Sequence, residues 1–158
     1  MCRHAEAVDP GGPTGDGERW LTARGRAVQA AVAHRLREDH GIRVTRVVTS
    51  PLVRAVQSGE ILAAAHELSG AREVRRCLTE GPTAAIAALP QELYDPEATL
   101  ALVGHEPLIR TAAGALTGVT LPGFRTASVC WIAISADGSG QLRGLLDPSQ
   151  GTFWTPPS

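Results

Sequence analysis

Residues 42–57 read IRVTRVVTSPLVRAVQ, and the change of pattern inside this stretch decides the fold class. Positions 42–49 are dense in β-branched side chains, which fit a pleated, buried surface, so they predict a strand. Ser50-Pro51 ends that strand and opens a helix. Serine is expected as its cap and proline in its first turn, with the helix running to about Leu68. A strand passing directly into a helix is the building unit of an α/β layer structure.

The same alternation continues outward. Residues 8–18 (VDPGGPTGDGE) are a Gly/Pro/Asp-rich loop. Thr22 is expected to cap a helix reaching about Asp39, because Ala27, Val28, Ala31, Val32 and Leu36 recur at helical spacing and Gly41 ends the run. Downstream, 73–78 is a weaker strand, 82–89 a short helix, 98–103 (ATLALV) a buried strand and 107–116 a helix. Residues 127–135 and 140–146 flank Asp137-Gly138, a hairpin signal. The tail 148–158 is expected to lie over the surface. The chain therefore predicts one α/β domain over 1–158, a three-layer sandwich with a mainly parallel central sheet.

Composition narrows the function classes. The chain has 158 residues, 15 basic and 16 acidic, for a net charge of -1. That near-neutral balance gives no electrostatic footprint for nucleic acid. All the basic residues are arginine, which reads mainly as a compositional habit of the genome. Cys2, Cys77 and Cys130 are odd in number and form no CxxC, so they fit a reducing compartment. Residues 1–7 carry Arg3, His4 and Glu6 and lack a signal-peptide apolar core. No apolar run approaches the ~20 residues of a membrane span. A cytoplasmic protein without a membrane partner is expected.

Three short motifs fall just past expected strand ends: Arg3-His4-Ala5-Glu6, Ser50 to Gln57, and Val103-Gly104-His105-Glu106-Pro107. In open α/β sheets the ligand crevice lies at the carboxyl ends of the strands. If all three end on one edge, His4, His105, Arg3 and Arg54 converge there. A neutral imidazole can attack phosphorus, and guanidinium forks match phosphoryl oxygens. Such a group suits phosphoryl transfer. His34, His40 and His66 show no ligand spacing, so no metal and no cofactor are expected. Arg72, Arg75 and Arg76 read as a solvated face. Phe124 and Trp131 read as core or pocket wall.

In these motifs the chain resembles the histidine phosphatase superfamily, the branch of the phosphoglycerate mutases, and most of all its short SixA-type phosphohistidine phosphatases. The RHG or RHA opening matches Arg3-His4-Ala5. RPLTxxG matches Arg19 to Gly25 with Trp20 in place of proline. SPLxRAxQT matches Ser50 to Ser58 with a terminal serine, and VGHxP matches Val103 to Pro107. The resemblance implies a phosphoglycerate mutase-like fold and a metal-independent phosphatase. His4 would be the nucleophile that is phosphorylated, and Arg3, Arg54 and His105 would bind the transferring group. The substrate would be protein phosphohistidine or a small phosphoester.

Leu78-Thr79-Glu80 matches the LxE of the mutases and of many small-molecule phosphatases, which implies Glu80 as general acid and widens the substrate towards phosphoesters. Glu106 is better placed to cap a helix than to act as acid. The family's first strand normally has several apolar residues before its RHG, whereas only Met1 and Cys2 precede Arg3 here. The first strand is therefore expected to be truncated, leaving neighbouring edges unpaired and His4 poorly held. That expectation keeps a second reading open, a catalytically weak or inactive phosphate- or phosphoprotein-binding module of the same fold.

Overall fold

The β-branched run at 42–49 forms a shorter strand than its length predicts. In the computed structural model, which describes residues 1–11, 15–69 and 72–150 and the backbone of 152–154, strand β2 covers only Arg46–Thr49. Ile42 and Val44 are buried beside it, but their amides bond elsewhere. Ile42 donates to the Leu36 carbonyl at the end of helix α1 (Ala23–Glu38), and Val44 donates to Nδ1 of His66 just past helix α2 (Val53–Ala65). Helix ends and not a neighbouring strand satisfy these groups, so the ladder starts later.

Among the described residues seven strands form one sheet. Besides β2 they are β1 (Cys2–Arg3), β3 (Glu73–Val74), β4 (Leu100–Gly104), β5 (Val129–Ile134), β6 (Gly140–Asp147) and β7 (Thr152–Trp154). The order is β3-β2-β4-β1-β5-β6-β7. The first four run parallel, and β5, β6 and β7 are added antiparallel. Successive strand residues point to opposite faces, and each face has its own core. Val47, Val103 and Val129 pack with α1 and α2, while Val48, Leu102 and Cys130 pack with α3 (Thr83–Glu92) and α4 (Leu108–Thr117). This is the expected three-layer α/β sandwich. Among the described residues no helix is long and apolar enough to cross a membrane.

Local outcomes follow the sequence with informative differences. Thr22 caps α1 through a hydrogen bond from the Gly25 amide, as expected. Ser50 does not cap α2, whose N-cap is Leu52; its hydroxyl is used elsewhere. The segment 76–78 turns into a 3-10 helix after the two-residue β3. The tail is not simply draped over the surface, since β7 pairs with β6; residues 151 and 155–158 lie outside the described set.

Strand β1 has two residues and lies at the centre of the sheet. Cys2 pairs with Val103 on one side and Val129 on the other, and the Met1 amine and carbonyl both bond Cys130. Short as it is, it closes the sheet where His4 emerges, contrary to the expected loose nucleophile.

Candidate active site

Parallel strands place the ends of β1, β2 and β4 on one edge, and the three motifs meet there. His4 directly follows β1. Its amide donates to Gly104 O at 3.1 Å, and its carbonyl accepts from Ala127 N at 3.1 Å. The ring Nδ1 lies 2.7 Å from the Ala5 carbonyl oxygen. A carbonyl can only accept, so Nδ1 carries the proton and Nε2 keeps its lone pair. Burial lowers the His4 pKa to about 4 against the opposing Ala5 hydrogen bond, with Arg54, Arg3 and Arg19 adding to the fall. The ring is thus neutral near pH 7, the state a nitrogen nucleophile needs.

His105 follows β4, and its ring centroid lies 4.9 Å from that of His4 at an interplanar angle of 52°. Burial, then His4 and Arg54, lower its pKa to about 3. Its Nε2 is 2.6 Å from Oγ of Ser50, which follows β2. That hydroxyl also accepts from Leu52 N at 3.3 Å. Ser50 Oγ and Nε2 share one proton, and with the serine donating, the single ring proton of His105 falls on Nδ1. In that tautomer Nδ1 is a buried donor without a partner among the described residues, and the same holds for Nε of Arg3 and of Arg54. Three donors in one place without acceptors suit an oxyanion.

Arg54 sits in the first turn of α2, where the helix dipole also favours an anion. It is 7% exposed, and both terminal nitrogens hold Asp16: Nη1 donates to its carbonyl at 2.6 Å and Nη2 to its carboxylate at 2.9 Å. Arg19 binds the other carboxylate oxygen at 2.9 Å. A carboxylate therefore stands on the arginine expected to receive phosphoryl oxygens. Arg3 donates through Nη1 to Phe124 O at 2.6 Å.

The sequence reading missed several supports. Ser58 accepts from Ala5 N at 3.0 Å and donates to Arg54 O at 2.8 Å, tying the nucleophile's loop to α2. Gln57 accepts from Leu21 N. Gly25 lies so close to the Glu6 backbone that a Cβ would come 2.1 Å from its carbonyl oxygen. Each falls in a quoted motif, but nothing in spacing alone says what it touches. Glu106 does not cap α4. Its Oε1 accepts from Phe124 N at 2.7 Å and from Arg110 at 3.0 Å, so it fixes the loop that holds Arg3.

Glu80 is exposed, and its carboxylate pairs with Arg76 at 2.6 Å. Arg75 is likewise taken by Glu73 and Glu92, so that basic cluster is internally neutralised. Phe124 is core, and Trp131 is 36% exposed. Cys2 is buried, and burial pushes its thiol up to about 11, which removes it as a thiolate. Among the described residues no group of three or more His, Cys, Asp or Glu could hold a metal ion.

An α/β sandwich whose parallel strand ends gather two neutral imidazoles and two arginines has the chemistry that phosphoryl transfer requires. The family model described as histidine phosphatase superfamily (branch 1) matches residues 1–96, and the chain belongs to that superfamily.

Similar proteins agree. An uncharacterised protein of Picosynechococcus is 40% identical over 107 residues, 66% of this chain; the match spans 64% of that relative's length. The structure of the protein histidine phosphatase SixA complexed with tungstate superposes with a TM-score of 0.83 at 27% identity, covering 94% of this chain and 95% of that one. A putative phosphohistidine phosphatase SixA from Agrobacterium tumefaciens shares the fold, with a TM-score of 0.76 at 22% identity over 93% and 95% of the two chains.

Proposed function

We propose that the protein is a phosphatase that works through a phosphohistidine on His4 and hydrolyses phosphohistidine on proteins. The observation that carries this reading is the neutral His4 imidazole, proton on Nδ1, beside His105, Arg3 and Arg54. The Nε2 lone pair attacks phosphorus, and the bond from phosphorus to the substrate imidazole breaks. The substrate nitrogen takes a proton from solvent. The Ala5 carbonyl stabilises the positive charge that grows on the His4 ring. Arg3, Arg54 and the Nδ1 proton of His105 hold the phosphoryl oxygens. Water then attacks the same phosphorus, the bond to Nε2 breaks, and inorganic phosphate leaves with His4 neutral again.

The substrate preference rests on the leaving group. An alkoxide needs a proton from a positioned acid, whereas an imidazole leaving group is protonated easily. Glu80 acts as that acid for small phosphoesters only by leaving its pair with Arg76. The three cysteines are free, which supports a cytoplasmic setting. No nucleic-acid or membrane partner is part of this reading. The central pairing of β1 supports an enzyme over a mere binding module.

The test is trapping of the phosphoenzyme from labelled phosphoramidate and from a phosphohistidine peptide. The wild type forms an acid-labile adduct, and His4→Ala forms none. Glu80→Gln leaves phosphoramidate turnover unchanged and lowers that of a phosphoester. Absence of any adduct and any turnover rejects the mechanism.

A further inference from the structure

Next to the first turn of α1, an open cleft of about 350 Å³ adjoins the phosphoryl pocket. Arg3, Arg24 and Arg125 line it together with Thr126 and Ser149. Among the described residues Glu6 is the one carboxylate in its wall, and its Oε1 accepts the Thr22 hydroxyl. Arg24 is exposed and has no hydrogen bond or ion pair among the described residues. Arg125 is exposed and reaches Asp147 only at 3.7 Å, a long contact for an ion pair. Arg3 is shared with the catalytic edge, since its charge acts on both His4 and His105.

The cleft thus carries more guanidinium than carboxylate, on a chain whose net charge is -1. Elsewhere Arg46 and Arg75 bind Glu73, Arg76 binds Glu80 and Arg37 binds Glu67, while the exposed Arg26, Arg43 and Arg143 lie outside this cleft. A cleft with an excess of guanidinium beside a reaction site is complementary to an anionic group on the substrate. The transferring phosphoryl has its own pocket, so this group is a second one. Val28 and Pro148 supply apolar wall for the methylenes of an acidic side chain, while guanidinium forks take its carboxylate.

We infer that the cleft holds an acidic side chain of the phosphoprotein substrate, close in space to the phosphohistidine being hydrolysed. This rests on the phosphohistidine reading above. Arg24 and Arg125 are then specificity residues, and Arg3 serves both pockets.

The test uses phosphohistidine peptides in which one glutamate is walked through the positions on either side of the phosphorylated residue. An all-alanine peptide and phosphoramidate serve as references. At one or more positions glutamate lowers KM about three- to fivefold, the scale of an exposed ion pair, and added salt erodes the gain. Arg24→Glu combined with Arg125→Glu turns the preference into a penalty, read against phosphoramidate in the same variant. Equal KM for every glutamate peptide and the alanine peptide would overturn the proposal while leaving the phosphatase reading intact. No turnover of phosphoramidate by the wild type would sink both.

Discussion

Asp16 and Arg54 form a two-point contact in which one residue supplies both a backbone carbonyl, at 2.6 Å, and a carboxylate oxygen, at 2.9 Å, to one guanidinium. The carboxylate is a competitor for the oxyanion that Arg54 is placed to bind. Its pKa is lowered by the hydrogen bonds from Arg19 and Arg54. It is therefore ionised throughout the neutral range, and protonation releases the pair only as pH falls below the ordinary carboxylate value. Asp16→Asn should bind tungstate about three- to fivefold more tightly by calorimetry, the range of an ion pair with one exposed partner. Weaker binding would mean that Asp16 orients Arg54 and does not compete.

The two imidazoles make stability depend on pH. His4 at about 4 and His105 at about 3 both lie below the ordinary value of 6.5. Below pH 6.5 the unfolded chain takes up protons that the folded protein refuses. Stability therefore falls as pH drops from about 6.5 towards about 4, by on the order of 5 kcal/mol at pH 4.5 relative to pH 7. Urea unfolding at the two pH values measures this. The drop should be smaller in His105→Gln, and an unchanged drop would remove the histidines as its cause. With substrate ionisation corrected for, kcat/KM should hold from pH 7 to about pH 5.

Ser50 should act through His105. Its hydroxyl, 2.6 Å from Nε2, is placed to donate there and so to favour the ring proton on Nδ1. Ser50→Ala should lower kcat about tenfold, the equivalent of one good hydrogen bond, with less change in KM. Nitrogen-15 NMR should show the His105 ring as the Nδ1-protonated tautomer in the wild type and as a mixture in the variant. Ser50→Thr, which keeps the hydroxyl, should restore both signals. A variant with wild-type tautomer and kcat leaves Ser50 as packing alone.

Gly25→Ala tests the joint between α1 and the nucleophile's loop. The added methyl would meet the Glu6 backbone at 2.1 Å, and backbone cannot yield as a flexible side chain can. The loss should be about 3 kcal/mol in a denaturant melt, against less than about 0.5 kcal/mol for Arg26→Ala on the exposed side of the same helix. Equal effects of the two substitutions would mean that the loop moves away freely.

The sequence carried the layers and the four pocket residues because both are written in local patterns. The β-branched run before Ser50 and the apolar run before Gly104 mark strands, and a strand end is where an α/β sheet puts its ligand. What it could not carry is pairing at a distance. Ser50 reads as a helix cap by every local rule, yet its hydroxyl serves a histidine 55 positions away. Glu106 likewise reads as a helix-start acid, and its partner is an amide 18 positions downstream. The contact between Asp16 and Arg54 is hidden for the same reason. The two-residue β1 seemed too short to hold His4 until its neighbours on both sides were known.

That central strand also sets when the enzyme can first work. Cys2 must pair with Val103 and Val129, and His4 must bond to Gly104 and Ala127. During synthesis the nucleophile leaves the ribosome long before these partners exist. Contacts of such separation form late and slowly. A nascent chain stopped before β5 would hold both arginine motifs and His4, and still have no pocket. Turnover in a translation time course should therefore appear only once β5 has been made, which makes activity itself a reporter that the centre of the sheet has closed.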